Sequence, residues 1–576
     1  MPLIERSARE AATAIRVAFE RYRDEFGAIT KRARRRFETR DWRAGQRDAT
    51  ERLVLYRRVV DAVVEELRGL LGDQLEETPL WKRMKAIYTE RIATFPDAEL
   101  AETFFNSITR HVFTTVGVDP DIEYVDLDIR RTRYGPGPGS HRTHTFRGSC
   151  AGLIERIVEE AGLAPLARDL EGCALAAAEV LEARWREGPD RGPIESIEVL
   201  RPVFFRSGSA YLVGRVRRAD TRMPVVLALV HGDDGVAIDA VLTTESEVSI
   251  VFSFTRSHFQ VVLRRPSEVV QFLGSLMPRK PVAELYISLG YTKHGKTEIY
   301  RDLLGRLRRS MDIFEHAPGD IGMVMIVFTL RGYDYVFKVI RDQFAYPKTS
   351  TREEVKQRYQ LVFEHDRAGR LIEAQEFEHL SFEAARFSEE LLEDLLGAAA
   401  RSATRDGDQV AISHLYVERR VQPLNLYLRR ADERSAAGVV RDYGQAIRDL
   451  ATTNIFPGDL LLKNFGVTRQ GRVIFYDYDE LCLVTECTFR EKPAARSDQE
   501  ELSAEPWYFV GENDVFPEEF VSFMGLNKLQ RETLLAHHGE ILTARFWRDL
   551  QRRHEAGEVL DVFPYPPGKR LRRPSA

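Results

Sequence analysis

The sequence predicts an α+β chain in two parts: a mainly helical N-terminal part with a small sheet, then a C-terminal part whose strand-rich lobe precedes a helical one. Three observations carry this. Apolar residues recur at three- and four-residue spacing through residues 5–115. Short β-branched runs punctuated by turns occupy residues 195–265. From about residue 315 a strand pattern returns and then gives way to helical periodicity. A chain of 576 residues is too long for one core. The divide is expected within 308–316, giving domains 1–312 and 313–576.

Taken in order, Leu53, Tyr56, Val60, Val63, Val64 and Leu67 trace one helix face, and residues 150–190 read as helical again, with Ala174–Ala178 in an Ala-rich stretch. Between these regions, Arg133–Ser140 is rich in Gly and Pro and reads as an exposed loop. Val225–Val230, Val236–Leu242 and Val248–Phe254 read as strands, and Glu268–Leu276 as a helix. In the C-terminal part Val324–Phe328 and Tyr335–Ile340 read as strands joined by a turn at Arg331–Asp334. The chain shows no internal repeat.

Composition bounds the function. Apolar content of 43% and charged content of 30% suit a water-soluble globular protein. A net charge of −5 gives no nucleic-acid footprint. No apolar run is long enough to span a membrane, and Met1–Ser7 lacks a signal-peptide core. Cys150, Cys173, Cys482 and Cys487 form no CxxC pair, which fits a reducing cytoplasm. The basic run Lys31–Arg36 reads as a solvated helix face, and the tail Lys569–Arg573 as a frayed end.

The chemistry concentrates in Asn454-Ile-Phe-Pro-Gly-Asp459-Leu-Leu-Leu-Lys463-Asn464, followed by Val473-Ile-Phe-Tyr-Asp477-Tyr-Asp479. An Asp, an Asn five residues later and a second Asp ending an apolar strand are what a protein kinase needs. Asp459 would orient and deprotonate the attacking hydroxyl, Lys463 would neutralise transferred charge, and Asn464 and Asp477 would hold Mg²⁺ (or Mn²⁺). Asp477-Tyr478-Asp479 stands where Asp-Phe-Gly is usual, so Asp479 adds a carboxylate near the metal. Upstream, Ala317-Pro318-Gly319-Asp320-Ile321-Gly322-Met323 is a glycine-containing turn whose backbone N–H groups can bind ATP phosphates. Lys338, alone in the strand Tyr335–Ile340, fits the lysine that contacts the α- and β-phosphates. Its carboxylate partner should lie on the following helix, with Glu353 and Glu354 as candidates, and the adenine-contacting hinge near Tyr416–Arg419. Together these predict a two-lobed protein-kinase-like domain. A scaffold that binds nucleotide without transfer is opposed by the intact Lys338, Asp459, Asn464 and Asp477 set.

Other motifs compete. Gly290-Tyr-Thr-Lys-His-Gly295-Lys296-Thr297 fits the Walker A pattern, between a candidate strand (Glu284–Leu289) and a candidate helix (Glu298–Leu307). It keeps a P-loop ATPase using Lys296 as an alternative, although no βαβ series surrounds it. Cys150–Arg156 has tyrosine-phosphatase spacing, but its apolar interior reads as an ordinary helix. His141-Arg-Thr-His144 reads as a polar loop rather than a metal site.

The segments Gly322–Leu330, Val336–Ile340, Tyr416–Asn425 and Asn454–Asp459 together resemble the isocitrate dehydrogenase kinase/phosphatase family, bacterial bifunctional regulators of the glyoxylate bypass. The resemblance extends to Tyr88–Phe95 and Glu102–Arg110 near the N-terminus, and to Ser503–Tyr508 and Asp514–Phe520 near the C-terminus. It implies a cytoplasmic enzyme that phosphorylates a serine of isocitrate dehydrogenase with ATP and also dephosphorylates it at the same nucleotide site. A kinase with little or no phosphatase activity is the alternative. The resemblance further implies an AMP site in the N-terminal domain, a substrate-gripping insertion near 487–517, and a phosphatase-linked carboxylate. Aligning His365–Arg370 puts Glu373 at that position, where the family has Asp. Homodimerisation is left open.

Overall fold

The computed structural model describes residues 3–125, 139–187, 194–218, 221–253, 258–346, 348, 350–365, 367–493, 508–511 and 513–571. Two compact units emerge: Met1–Met311 with Phe563–Ala576, and Asp312–Val562.

The first unit opens with four helices, Leu3–Thr39, Trp42–Leu71, Thr78–Ile92 and Ala98–Val112. Val60, Val63, Val64 and Leu67 of the predicted face are buried together with Phe19, Trp81 and Phe104. Arg52 lies on that face too; its guanidinium donates to the carbonyls of Phe259 at 3.1 Å and Leu289 at 3.3 Å. An antiparallel sheet follows, in the order His141–Thr145, Ser196–Leu200, Ser209–Arg218, Thr221–Gly232, Gly235–Leu242, with Phe204–Arg206 paired to Ser209–Arg218. Alternation along its strands sends Val199, Leu212 and Leu227 to helices Cys150–Glu160 and Leu170–Glu187. Val213, Val226 and Ala228 go to the opposite, larger core.

Several expectations change here. His141–Thr145 is an edge strand, not a loop. Residues 133–138 of the predicted Gly/Pro loop lie outside the described residues. Val248–Val251 belongs to a helix, Glu245–Val251. A short apolar run does not itself distinguish strand from buried helix. The Thr244–Glu247 capping box decides: the Glu247 N–H donates to Thr244 Oγ1 at 3.2 Å, and the Thr244 N–H to Glu247 Oε2 at 3.1 Å.

Glu284–Leu289 is likewise helical, within Val282–Ser288 and its cap, and the next helix, Thr292–Arg309, begins inside the Walker-like string. A P-loop needs strand, open loop and helix. Here His294 is buried, and a Cβ on Gly295 would meet Ile287 Cγ1 at 2.3 Å. The string is a helix–helix corner, and the ATPase alternative built on Lys296 is set aside.

The basic run is more than a solvated face: Arg32 and Arg36 hold the buried Asp48 at 3.0 and 2.8 Å. The tail is not frayed in its described part. Arg570 Nη2 lies 2.8 Å from Asp239 and Tyr565 OH donates to Asp239 at 2.8 Å, which places Phe563 onward in the first unit instead of the catalytic one. No described helix is long and apolar enough to cross a membrane.

The second unit begins with a six-stranded antiparallel sheet, ordered Ala374–Glu383, Gln409–Arg419, Tyr335–Ile340, Met325–Leu330, Phe314–His316, with Ala403–Asp406 on Gln409–Arg419. Helix Arg352–His365 follows the lysine strand. The helical lobe is centred on Glu433–Thr452, capped by Asp432, whose Oδ1 accepts from the Ser435 N–H at 2.9 Å. Val440, Tyr443, Ile447 and Leu450 line its buried face with Phe465, Phe475 and Trp547. Short strand pairs, Ile455–Phe456 with Cys482–Leu483 and Phe465–Val467 with Val473–Phe475, carry the segments that bear the predicted site.

Candidate active site

Local backbone chemistry sets the Asp459 loop. Asn454 enters it at φ 67°, a left-handed conformation Asn tolerates, held by its Oδ1 accepting from the Thr485 N–H at 3.1 Å. Gly458, at φ 77°, is required twice over, since a Cβ there would meet the Glu480 carbonyl oxygen at 2.4 Å. Asp459 follows, its Oδ1 accepting from the Leu461 N–H at 2.9 Å. Burial lifts its carboxyl above the ordinary range, against the opposing hydrogen bonds of Leu461 and Asn464. The Asn464 carbonyl accepts from the Tyr476 N–H at 3.1 Å, which fixes Asn464 beside the strand leading to Asp477.

A buried ionic clamp holds that strand. Arg370 is 2% exposed; its guanidinium donates to Asp442 and Asp449 at 2.7 Å and to the Val473 carbonyl at 2.9 Å. The Phe475 N–H donates to the Arg370 carbonyl at 2.7 Å, and Tyr478 OH to the Ile372 carbonyl at 2.6 Å. Residues 370–372 thus lie against the segment carrying Asp477.

Lys338 reaches the same place from the sheet. Its Nζ lies 2.7 Å from Glu418 Oε2 and donates to the Tyr476 carbonyl at 2.8 Å. Neither Glu353 nor Glu354 is its partner. Strand register gives the reason: Lys338 stands opposite Tyr416, so Glu418, two residues on, is its diagonal neighbour on the same face. The following helix contributes Tyr359, whose OH donates to Glu418 Oε1 at 3.2 Å. Burial holds the Glu418 carboxyl above its usual value even with Lys338 beside it.

These pieces enclose one cavity of about 610 Å³. Its lining includes the turn Ala317–Met323, Lys338, Asp459, Lys463, Asn464, Asp477 and Asp479. In the turn, a Cβ on Gly322 would meet the Met325 carbonyl oxygen at 2.5 Å, so the tight backbone there needs glycine. Of the expected hinge, Glu418 and Arg419 line the cavity and Tyr416 does not. The strand's continuation, Arg420–Pro423, does. Glu373 is absent from the lining, although its neighbour Ile372 is present; its Oε1 accepts from the Gln375 amide. Of the expected insertion, 494–507 and 512 lie outside the described residues.

The donor set suits a hard cation. Asp477 is half-buried beside Asp479, and desolvation with that neighbouring charge pushes its carboxyl well above the ordinary range. Two carboxylates in contact favour a bound proton or cation, and Asn464 adds a neutral oxygen. No group of three or more His, Cys, Asp or Glu among the described residues is placed to hold a metal ion by itself. An ion here would complete its shell from phosphates and water, the habit of Mg²⁺ at phosphoryl-transfer sites. Sequence reading missed Glu418 as the lysine's partner, Tyr359, the Arg370 clamp, and Lys348, which also lines the cavity. Glu418 is the one acid of its strand, Gln409–Arg419, but its pairing with Lys338 follows only from the strand register. The tyrosine-phosphatase spacing does not yield a site: Cys150 is buried in its helix and its thiol is pushed up to about 12.

Two family models match the chain. One, described as the regulatory domain of isocitrate dehydrogenase kinase/phosphatase (AceK), spans residues 12–311; the other, its kinase domain, spans 312–567. Proteins named isocitrate dehydrogenase kinase/phosphatase from Anaeromyxobacter sp. (strain Fw109-5) and Anaeromyxobacter dehalogenans (strain 2CP-C) are 51% and 52% identical, with 98% of both chains covered in each comparison. The protein of that name from Xanthomonas campestris pv. campestris (strain 8004) is 45% identical over 99% of both chains.

Proposed function

The chain belongs to the isocitrate dehydrogenase kinase/phosphatase family, and from that premise we propose that it phosphorylates a serine of isocitrate dehydrogenase with ATP and also removes that phosphate. The two activities would set flux between the tricarboxylic acid cycle and the glyoxylate bypass in the cytoplasm. One observation carries the reading: a single cavity collects the predicted nucleotide, metal and phosphoryl-transfer side chains.

In this assignment Asp459 accepts the serine proton, favoured by its partly buried setting, and Lys463 faces the transferred phosphoryl group. Lys338 and the 317–323 turn hold the triphosphate. Asn464 and Asp477 would hold Mg²⁺ or Mn²⁺, with Asp479 close by. A bound divalent ion would supply charge neutralisation at the phosphates. Glu373 is assigned to dephosphorylation, supported by its place next to Ile372 at the cavity wall and beside the Asp477 segment. AMP is assigned to the N-terminal unit on the family resemblance, and homodimer formation is a further proposal.

The test is label transfer between γ-labelled ATP and isocitrate dehydrogenase. Lys338→Met should lower serine phosphorylation by roughly 10²-fold or more, the usual cost of removing a preorganised charge. Lys296→Ala should stay within about twofold, because Lys296 lies in a helix and not a phosphate loop. The reverse pattern would overturn the cavity as the nucleotide site. Glu373→Gln should slow phosphate release selectively, while Glu373→Asp retains or raises it. Wild-type dephosphorylation by Glu373→Gln would remove Glu373 from the mechanism.

A further inference from the structure

Lys348 lies between the lysine strand and helix Arg352–His365, and no sequence motif singles it out. It nevertheless lines the same cavity. Its Nζ lies 3.0 Å from Asp479 Oδ2 and also contacts Glu480 Oε1. Its side chain is only 16% exposed and that of Asp479 only 10%, so the pair is shielded from water and the attraction is little screened. Lys338, also in the lining, is committed elsewhere, held by Glu418 and the Tyr476 carbonyl.

The two carboxylates of the Asp477-Tyr478-Asp479 string are therefore not equivalent. Asp477 has no cationic partner at ion-pair distance among the described residues and lines the cavity together with Asn464. Asp479 already carries an ammonium. Protein kinases hold two divalent ions with an Asp and an Asn at the positions of Asp477 and Asn464, and Asp479 adds a further carboxylate beside Asp477. We propose that Lys348 takes the place of the second ion: it positions and neutralises Asp479, so that the nucleotide site binds one divalent cation tightly, through Asp477 and Asn464. This rests on the reading of the cavity as the metal–nucleotide site and narrows Asp479 from metal ligand to partner of Lys348.

Binding itself provides the test, independent of turnover. Mn²⁺ is titrated into the full chain with a saturating non-hydrolysable ATP analogue, and free Mn²⁺ is read by electron paramagnetic resonance. Wild type and Lys348→Arg should bind one tight ion per nucleotide. Lys348→Met, which keeps the side chain's length and removes its charge, should bind a second ion more tightly than wild type by at least about tenfold, because Asp479 is then a free carboxylate. A wild-type chain that takes two tight ions overturns the proposal. So does an isotherm that Asp477→Asn weakens and Lys348→Met leaves untouched. An isotherm that neither substitution changes removes the cavity as the metal site, and the proposal falls with that reading.

Discussion

Lys338 and Glu418 form an ion pair with side chains 8% and 1% exposed. Burying two charges is costly, and what makes the pair tolerable is the completeness of its hydrogen bonding: Tyr359 serves the second carboxylate oxygen and the Tyr476 carbonyl serves the ammonium. Removing one charge leaves the other uncompensated. Glu418→Gln should therefore destabilise the second unit by about 3–5 kcal/mol, with loss of kinase activity. Glu353→Gln and Glu354→Gln should melt and turn over like wild type. Thermal denaturation with parallel label transfer checks this, and an inert Glu418→Gln beside a damaging change at Glu353 or Glu354 would return the partner to the helix. The type of residue needed was clear, but its element was not, because a diagonal contact depends on strand register, which the spacing of Lys338 and Glu418 along the chain does not reveal.

At the scale of elements, legibility followed periodicity. The long N-terminal helices and the paired strands expected at Val324–Phe328 and Tyr335–Ile340 carry strong patterns, and the structure has them, the first as Met325–Leu330. Short apolar runs failed where capping or packing decided the outcome, as at Glu245–Val251 and Val282–Ser288. The helix–helix corner that replaces the expected P-loop also makes a testable pH response. His294 is fully buried against Tyr286, with Thr103 on its Nδ1, and burial lowers its pKa to about 4. An unfolded histidine titrates near ~6.5, so between that pH and about 4 the unfolded chain binds the extra proton. The stabilisation is complete above the unfolded value and is lost as pH falls toward the folded one. Acidification across this window should cost the first unit on the order of 3 kcal/mol. Equilibrium unfolding at pH 7 and pH 4.5 measures it, and His294→Asn should flatten the difference attributable to this site. An unchanged difference would mean that other groups carry it.

At the scale of the whole molecule, two compact units divide regulatory and catalytic family matches at residues 311 and 312. The candidate site lies wholly within the second unit, as the pattern from Ala317 to Asp479 predicts. The position of Glu373 and the anchoring of the tail by Asp239 were not legible, because both depend on packing between segments far apart in sequence. The central claim is that one cavity serves both phosphorylation and dephosphorylation. It is tested most directly by Asp477→Asn, a near-isosteric change, assayed with isocitrate dehydrogenase for phosphorylation and with phospho-isocitrate dehydrogenase for release, in a variant confirmed to melt like wild type. Shared use of the cavity predicts that both rates fall together by roughly 10²-fold or more. Dephosphorylation at the wild-type rate alongside abolished phosphorylation would contradict it and place the phosphatase centre elsewhere.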